Sequence, residues 1–295
     1  MNFLQNFMRQ ASAKAIEETS GLRFDPRELR RMILRQSRRA NVGHIGSCLC
    51  IVEILSAVYS LLRADGPDDG DRDRFILSKG HAALALYAVL HAKGWISEAD
   101  LDTFCADGSY LSVHPNHRVP GVDFETGSLG QGITMAAGAA LAARLQSSSR
   151  RVYCVISDAE CNEGSTWEAA MFSAHQKLAN LSVILDANGQ QALGLTRDVI
   201  DMPNLAARWA AFGWAVSEVD GHSVAELKAT LAAPHPGKPQ MIIARTIFGR
   251  GVSFMEAGIT PGRPNFPIQP INWHYLPLTA EEFDIAMRET EATAG

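Results

Sequence analysis

The sequence predicts an α/β protein, a doubly wound and mostly parallel sheet flanked by helices. Three observations carry this reading. Short aliphatic runs alternate along the chain with stretches of helical periodicity. The runs lack the polar alternation of a half-solvated strand, so they suit strands covered on both faces. Two of them, "RVYCVIS" and "LSVILD", end abruptly on a small acidic or amide residue, Asp158 and Asn188, with one helical stretch between. That is the pattern of consecutive strands joined by a crossover.

Taken in order, roughly the first twenty residues read as a helical lead-in. "PRELRRMILRQSRRA" (26–40) sets apolar residues at helical spacing amid arginines and is expected to be a surface helix. "SCLCIVEILSAVYSLL", apolar on nearly every face, reads as one helix enclosed by other elements and starting directly after "GHIG". Strand and helix then alternate as "RFILS" and "AALALYAVLHAKG", "RVYCVIS" and "STWEAAMFSAHQKL", "LSVILD", "WAVSEV" and "VAELKATLAA", and "QMIIART". No repeat or low-complexity linker divides the chain, so residues 1–295 read as a single module. The stretch 257–270, "AGITPGRPNFPIQP", holds four prolines and two glycines and is expected to be a loop.

Composition narrows the ligand. A 295-residue chain that is 46% hydrophobic and 20% charged has ordinary soluble composition. Its net charge of -5, with basic residues scattered apart from a short arginine cluster between 27 and 39, argues against a nucleic-acid or anionic-membrane partner. Cys48, Cys50, Cys105, Cys154 and Cys161 are an odd number without a CxxC pair, which favours neither a disulfide framework nor a zinc knuckle and fits a reducing cytoplasm. The start "MNFLQNFMRQASAKAIEETSG" lacks the pattern of an export signal. No run approaches the roughly 18 apolar residues of a membrane span.

Ligands of open α/β sheets bind beyond the carboxyl ends of the strands. Asp158 and Asn188 are expected at the same edge, facing one crevice. One carboxylate and one amide oxygen make a sparse, hard, oxygen-only set that suits Mg²⁺, whose other positions go to phosphates and water. Each residue also has a plainer reading, Asp158 as a helix cap and Asn188 as a turn residue in "ANGQQ". Their joint position at adjacent strand ends favours the metal.

"SDAECNEG" followed after a helix by "LDAN" resembles the thiamine-diphosphate fingerprint Gly-Asp-Gly…Asn-Asn, with Ser157, Ala159 and Ala187 as departures from it. Further stretches appear in the order found in the N-terminal half of transketolases: "GHIGSCLCIVEILSAVY", "DRFILSKGHAALALYAVL", "HPNHRVPGVDFETGSLGQGITMAAGAALAARL", "VDGH" and "GRGVSFME". The similarity runs from about residue 25 to the end and is closest to the split transketolases, in which that half is a separate polypeptide.

The resemblance implies transfer of a two-carbon ketol unit from a ketose to an aldose, with thiamine diphosphate and Mg²⁺ (or Ca²⁺ or Mn²⁺). It implies metal ligands Asp158, Asn188 and the backbone carbonyl of Gln190. His81 is assigned to the diphosphate, His44 and His114 to the donor sugar's reacting end, and His274, in "NWHY", to both. These four histidines sit beside Gly, Pro or an aromatic, off the periodic helix faces, and a neutral imidazole can donate, accept and shuttle protons near neutral pH. Gly127 and Leu129, in "ETGSLGQG", would line the cofactor channel, although the same glycines serve equally well for a tight helix start. Ala159 falls within the fingerprint itself. Glu163 would be a buried-edge carboxylate coupling paired sites, or a plain charge at a helix start; Glu160 ranks below it.

A glutamate that activates the cofactor ring comes, in transketolases, from a pyrimidine-binding module, and a complete enzyme has roughly twice this length. The chain is therefore expected to need a second polypeptide carrying that module, in an α2β2 assembly with its site between subunits. Two other readings compete. One is the α subunit of a thiamine-diphosphate-dependent 2-oxoacid dehydrogenase. The other is a non-catalytic cofactor-binding subunit, suggested by Ser157 and Ala159 crowding a diphosphate where glycine gives the closest approach.

Overall fold

The computed structural model describes residues 24–256 and 272–292; the expected N-terminal lead-in and the proline-rich stretch at 257–270 lie outside them. Helix α1 (Pro26–Ala40) starts where Asp25 caps it, its carboxylate accepting from the Arg27 N–H at 2.9 Å, with Pro26 preset for the first turn. It ends on Asn41 in the left-handed region at φ 54°. Ile33 and Leu34 are fully buried on its inner face, each worth about 2 kcal/mol.

The expected single helix after "GHIG" is two, α2 (Ile45–Leu49) and α3 (Val52–Leu61). The Ser47 carbonyl, which a continuous helix would give to the Ile51 N–H, accepts instead from Lys79 Nζ at 3.1 Å and Cys50 Sγ at 3.3 Å. Strand β1 (Arg74–Leu77), a 3-10 turn at Gly80–Ala82, α4 (Ala83–Lys93) and the short α5 (Glu98–Leu101) follow. The next run is α6 (Gly132–Leu145), β2 (Val152–Ser157), α7 (Gly164–His175) and β3 (Leu181–Ala187). A small hairpin, β4 (Gln190–Gln191) and β5 (Gly194–Leu195), leads to α8 (Thr196–Val199) and α9 (Leu205–Ala211). The chain closes with β6 (Ala215–Asp220), α10 (Val224–Ala232), β7 (Gln240–Arg245), α11 (Ser253–Glu256), α12 (Asn272–Tyr275) and α13 (Ala280–Ala292).

Five strands form one parallel sheet in the order β1-β2-β3-β7-β6. Successive side chains of a strand point to opposite faces, so a sheet covered on both sides needs two cores. Tyr153, Val155 and Ile184 face one with Ile54, Leu86 and Trp273; Cys154, Ile156 and Leu185 face the other with Ile133, Ala137 and Trp209. The sheet is doubly wound, as its uninterrupted aliphatic runs predict. Strand β6 differs: Val219 alone is buried along it, because it lies at the edge. Its sequence, "AVSEVD", already carries the polar residues an edge tolerates.

Candidate functional site

Parallel strands deliver their carboxyl ends to one edge, and here four converge. In register, Ser157 of β2 pairs with Asp186 of β3, and Ala187 pairs with Arg245 of β7. The residues just beyond are tied to neighbouring strands: Ser78 N–H donates to the Val155 carbonyl (2.8 Å), Asp158 N–H to Asp186 (3.2 Å) and Thr246 N–H to Ala187 (3.4 Å). Lys79, Asp158, Asn188 and Thr246 therefore share one rim.

The Asp158 carboxylate binds the turn that carries Asn188. Its Oδ2 accepts from the Gly189 N–H at 2.8 Å and from Thr196 Oγ1 at 3.2 Å, while Oδ1 accepts from the Ala159 N–H at 2.9 Å. Asn188 Oδ1 accepts from the Gln190 N–H at 2.9 Å. Burial, and then the nearby Asp186 charge, push the Asp158 carboxyl up to about 7 against those amide bonds. A cation at this rim would offset that penalty. Among the described residues no three His, Cys, Asp or Glu side chains gather as metal ligands. One carboxylate and one amide oxygen, held by the Gly189 and Gln190 N–H groups of one turn, suit a Mg²⁺ that keeps phosphate and water among its other ligands.

Behind this rim lies Asp186, fully buried, accepting on Oδ2 from Lys79 Nζ (2.6 Å), Asn188 Nδ2 (2.8 Å) and Cys50 Sγ (3.2 Å) and on Oδ1 from Thr246 Oγ1. Burial opposes ionisation of both partners. The Lys79 charge and the converging hydrogen bonds outweigh it and hold the Asp186 carboxyl below its ordinary value, and Asp186 in turn raises Lys79.

Two residues on from Lys79, His81 belongs to a cluster of three imidazoles. Ring centroids are 5.3 Å apart for His44 and His81, 5.5 Å for His44 and His274, and 5.3 Å for His81 and His274. His44, in the left-handed region at φ 61°, precedes α2 and donates its N–H to the His274 carbonyl at 3.2 Å. That approach requires Gly43, since a Cβ there would lie 2.3 Å from the Tyr275 carbonyl oxygen. Phe248 stacks on His274 at 6.3 Å and 20°.

Burial first, then the Lys79 charge, drives His81 well below the ordinary histidine range; burial and then His44 lower His274 to about 4; burial, His114 and Lys79 lower His44. All three rings are thereby shifted toward the neutral form. His44 Nδ1, His81 Nε2 and Gln190 Oε1 are buried without a hydrogen-bond partner, each at a cost of about 1–3 kcal/mol. A ligand bearing phosphate, hydroxyl and carbonyl oxygens would satisfy the two ring nitrogens, so the residues present fit a phosphorylated coenzyme and a sugar.

The structure thus brings His44, His81 and His274 together in one cluster and Asp158, Asn188 and Gln190 in another. His114 is exposed, its ring beside Gly127, where a Cβ would stand 3.2 Å away. His81 lies in the 3-10 turn and His274 in the one-turn helix α12, so only His44 and His114 occupy the irregular backbone the sequence suggests for all four. Leu129 and Ala159 are half-buried. Glu163 is exposed on this chain and makes no side-chain cap hydrogen bond at the start of α7.

Glu160 is the buried carboxylate of a 3-10 turn at Ala159–Asn162, between β2 and α7. It accepts from Gly130 N–H at 2.9 Å, Ser157 N–H at 2.9 Å and Ser78 Oγ. The Ser157 hydroxyl also faces it, accepting from the Glu160 N–H at 3.3 Å, so that side chain turns inward instead of crowding the rim. Sequence reading overlooked Lys79, Asp186, Cys50 and Thr246. An aspartate ending a buried aliphatic run was the one signal that could have found the pair, because a buried charge requires a partner.

A parallel sheet whose carboxyl edge combines a sparse oxygen pair with neutral imidazoles defines a coenzyme-diphosphate-binding α/β protein. The chain belongs to the transketolase family: the family model "Transketolase, thiamine diphosphate binding domain" matches residues 27–260. It is 39% identical over 85% of its length to an apulose-4-phosphate transketolase subunit of Phocaeicola vulgatus, covering 87% of that protein. It is 37% identical over 93% of its length to the 6-deoxy-6-sulfo-D-fructose transketolase subunit SqwG of a Clostridium species, covering 98% of it. Among solved structures, Campylobacter jejuni transketolase superposes with a TM-score of 0.82 and 29% identity over 92% of this chain. This chain spans 42% of that one, which agrees with relatives of matching length being named as subunits.

Proposed function

We propose that this chain is the diphosphate-binding subunit of a two-polypeptide transketolase, transferring a two-carbon ketol unit from a ketose to an aldose. Bound thiamine diphosphate supplies the electron sink for cleaving the carbon–carbon bond beside a carbonyl. Asp158, Asn188 and the Gln190 carbonyl hold Mg²⁺, or Ca²⁺ or Mn²⁺ in its place, against the diphosphate. His81 and His274 donate to the diphosphate. His44 and His114 bind the reacting oxygens of the sugar and move protons there, a role imidazoles commonly fill. Gly127, Leu129 and Ala159 line the cofactor, and Glu163, exposed on this chain, is free to couple paired sites across the interface between protomers.

The observation that supports this reading is that Lys79, which binds Asp186 beside Asn188, stands two positions before His81 of the His44, His81 and His274 cluster. The partner is a chain with the pyrimidine-binding module and its glutamate, in an α2β2 assembly, and the substrates are sugars or sugar phosphates. No helix among the described residues is long and apolar enough to cross a membrane, and all five cysteines are free thiols, which supports a cytoplasmic setting. The decisive assay measures ketol transfer by the purified chain alone and after mixing with a pyrimidine-module chain. Activity restricted to the mixture supports the proposal; appreciable transfer by the chain alone refutes the two-polypeptide arrangement.

A further inference from the structure

We infer that Asp186 is a positioning residue, fixing which end of the Asn188 side-chain amide is offered to a divalent cation; this rests on the cofactor reading above. A side-chain amide has two unlike ends, a carbonyl that can ligate a metal and an NH₂ that cannot. At this rim Asn188 Nδ2 donates to Asp186 Oδ2 at 2.8 Å, and Oδ1 accepts from the Gln190 N–H at 2.9 Å. Turning the amide over would set its carbonyl against a carboxylate and its NH₂ against an N–H. The partners themselves therefore decide the orientation.

Asp186 has no freedom to adapt. Lys79, Asn188 and Cys50 donate to one of its oxygens and Thr246 to the other, so it acts only as an acceptor. The same contact accounts for an amide at position 188, where a carboxylate would bring more charge to Mg²⁺. In an aspartate the second oxygen would replace Nδ2, 2.8 Å from an Asp186 oxygen, and the two would repel. Lys79 extends the arrangement, because the residue that anchors Asp186 also binds the Ser47 carbonyl and stands two positions before His81. One buried ion pair thus ties the orientation of the metal-side amide to the imidazole side of the crevice.

The test is Mn²⁺ binding in the presence of thiamine diphosphate, followed by titration calorimetry on the full chain together with any partner chain that co-purifies. The wild type binds. Asn188→Asp binds at least about tenfold more weakly despite its added charge, the scale of losing a residue that orients a metal ligand. Asp186→Asn alone weakens binding yet adds little in an Asn188→Ala background, because the two act through one contact. Asp186 is fully buried and its variant can fail to fold, so the decision falls on Asn188→Asp, half-buried at the rim, with circular dichroism checking its fold. Asn188→Asp binding as tightly as the wild type, or more tightly, overturns the positioning role. A wild type that binds no Mn²⁺ with thiamine diphosphate overturns the cofactor reading, and this inference with it.

Discussion

Lys79 Nζ lies 2.6 Å from Asp186 Oδ2, with side-chain exposures of 1% and 0%. A pair so completely removed from water gains little net stability, but breaking it strands a charge. Lys79→Met should therefore destabilise the chain by about 3–5 kcal/mol in denaturant titration. Lys79→Met combined with Asp186→Leu should recover part of that. A single variant as stable as the wild type would show that the pair is not buried in solution.

Acid should unfold the protein partly through Glu53. Arg30 donates to it at 2.5 Å and His222 Nδ1 lies 3.1 Å from its other oxygen. Burial resists its ionisation, yet Arg30 and then His222 win and lower its pKa from 4.5 to about 2. The unfolded chain then binds the proton more readily than the folded one. The stabilisation, on the order of 3 kcal/mol, is fully present above about pH 4.5 and lost as pH falls toward 2. Glu53→Gln should flatten the stability profile across that window; an unchanged slope contradicts the assignment.

The histidines should separate by role. His81→Ala is expected to weaken thiamine diphosphate retention, measured by calorimetry with Mg²⁺. His114→Ala should leave retention nearly intact and slow ketol transfer by roughly 10²–10⁴-fold, the range of a general acid or base. Loss of the cofactor from the His114 variant means that its role has been misassigned. Asp158→Ala should abolish the metal dependence of retention altogether.

Gly43→Ala tests the joint between the first and last segments of the crevice. A methyl group 2.3 Å from the Tyr275 carbonyl oxygen cannot be accommodated unless α12 moves. We expect faster amide exchange at His44, whose N–H binds the His274 carbonyl, and weaker cofactor binding. Wild-type exchange there would mean that the two segments are not in contact in solution.

The sheet was legible because four of its five strands are mainly aliphatic, and the rim because two of them stop on Asp158 and Asn188. The Lys79–Asp186 pair was not, since its members stand 107 positions apart and only the fold shows that each finds the other. Local pattern also missed the break between α2 and α3, where Lys79 takes a carbonyl from the helix. Choosing between Glu160 and Glu163 depended on a turn being 3-10 in type, which decides which carboxylate points inward. For the histidines, sequence supplied the candidates, while the convergence of three within one crevice is tertiary.

The contact between His44 and His274 also orders events during synthesis. Every strand of the sheet has been synthesised by Arg245, whereas His274 arrives only with Asn272–Tyr275. A nascent chain can complete its scaffold before it can hold a coenzyme. Copies ending before Asn272 would lack His274 and also Trp273, Leu278 and Ala286 from the core on one face of the sheet.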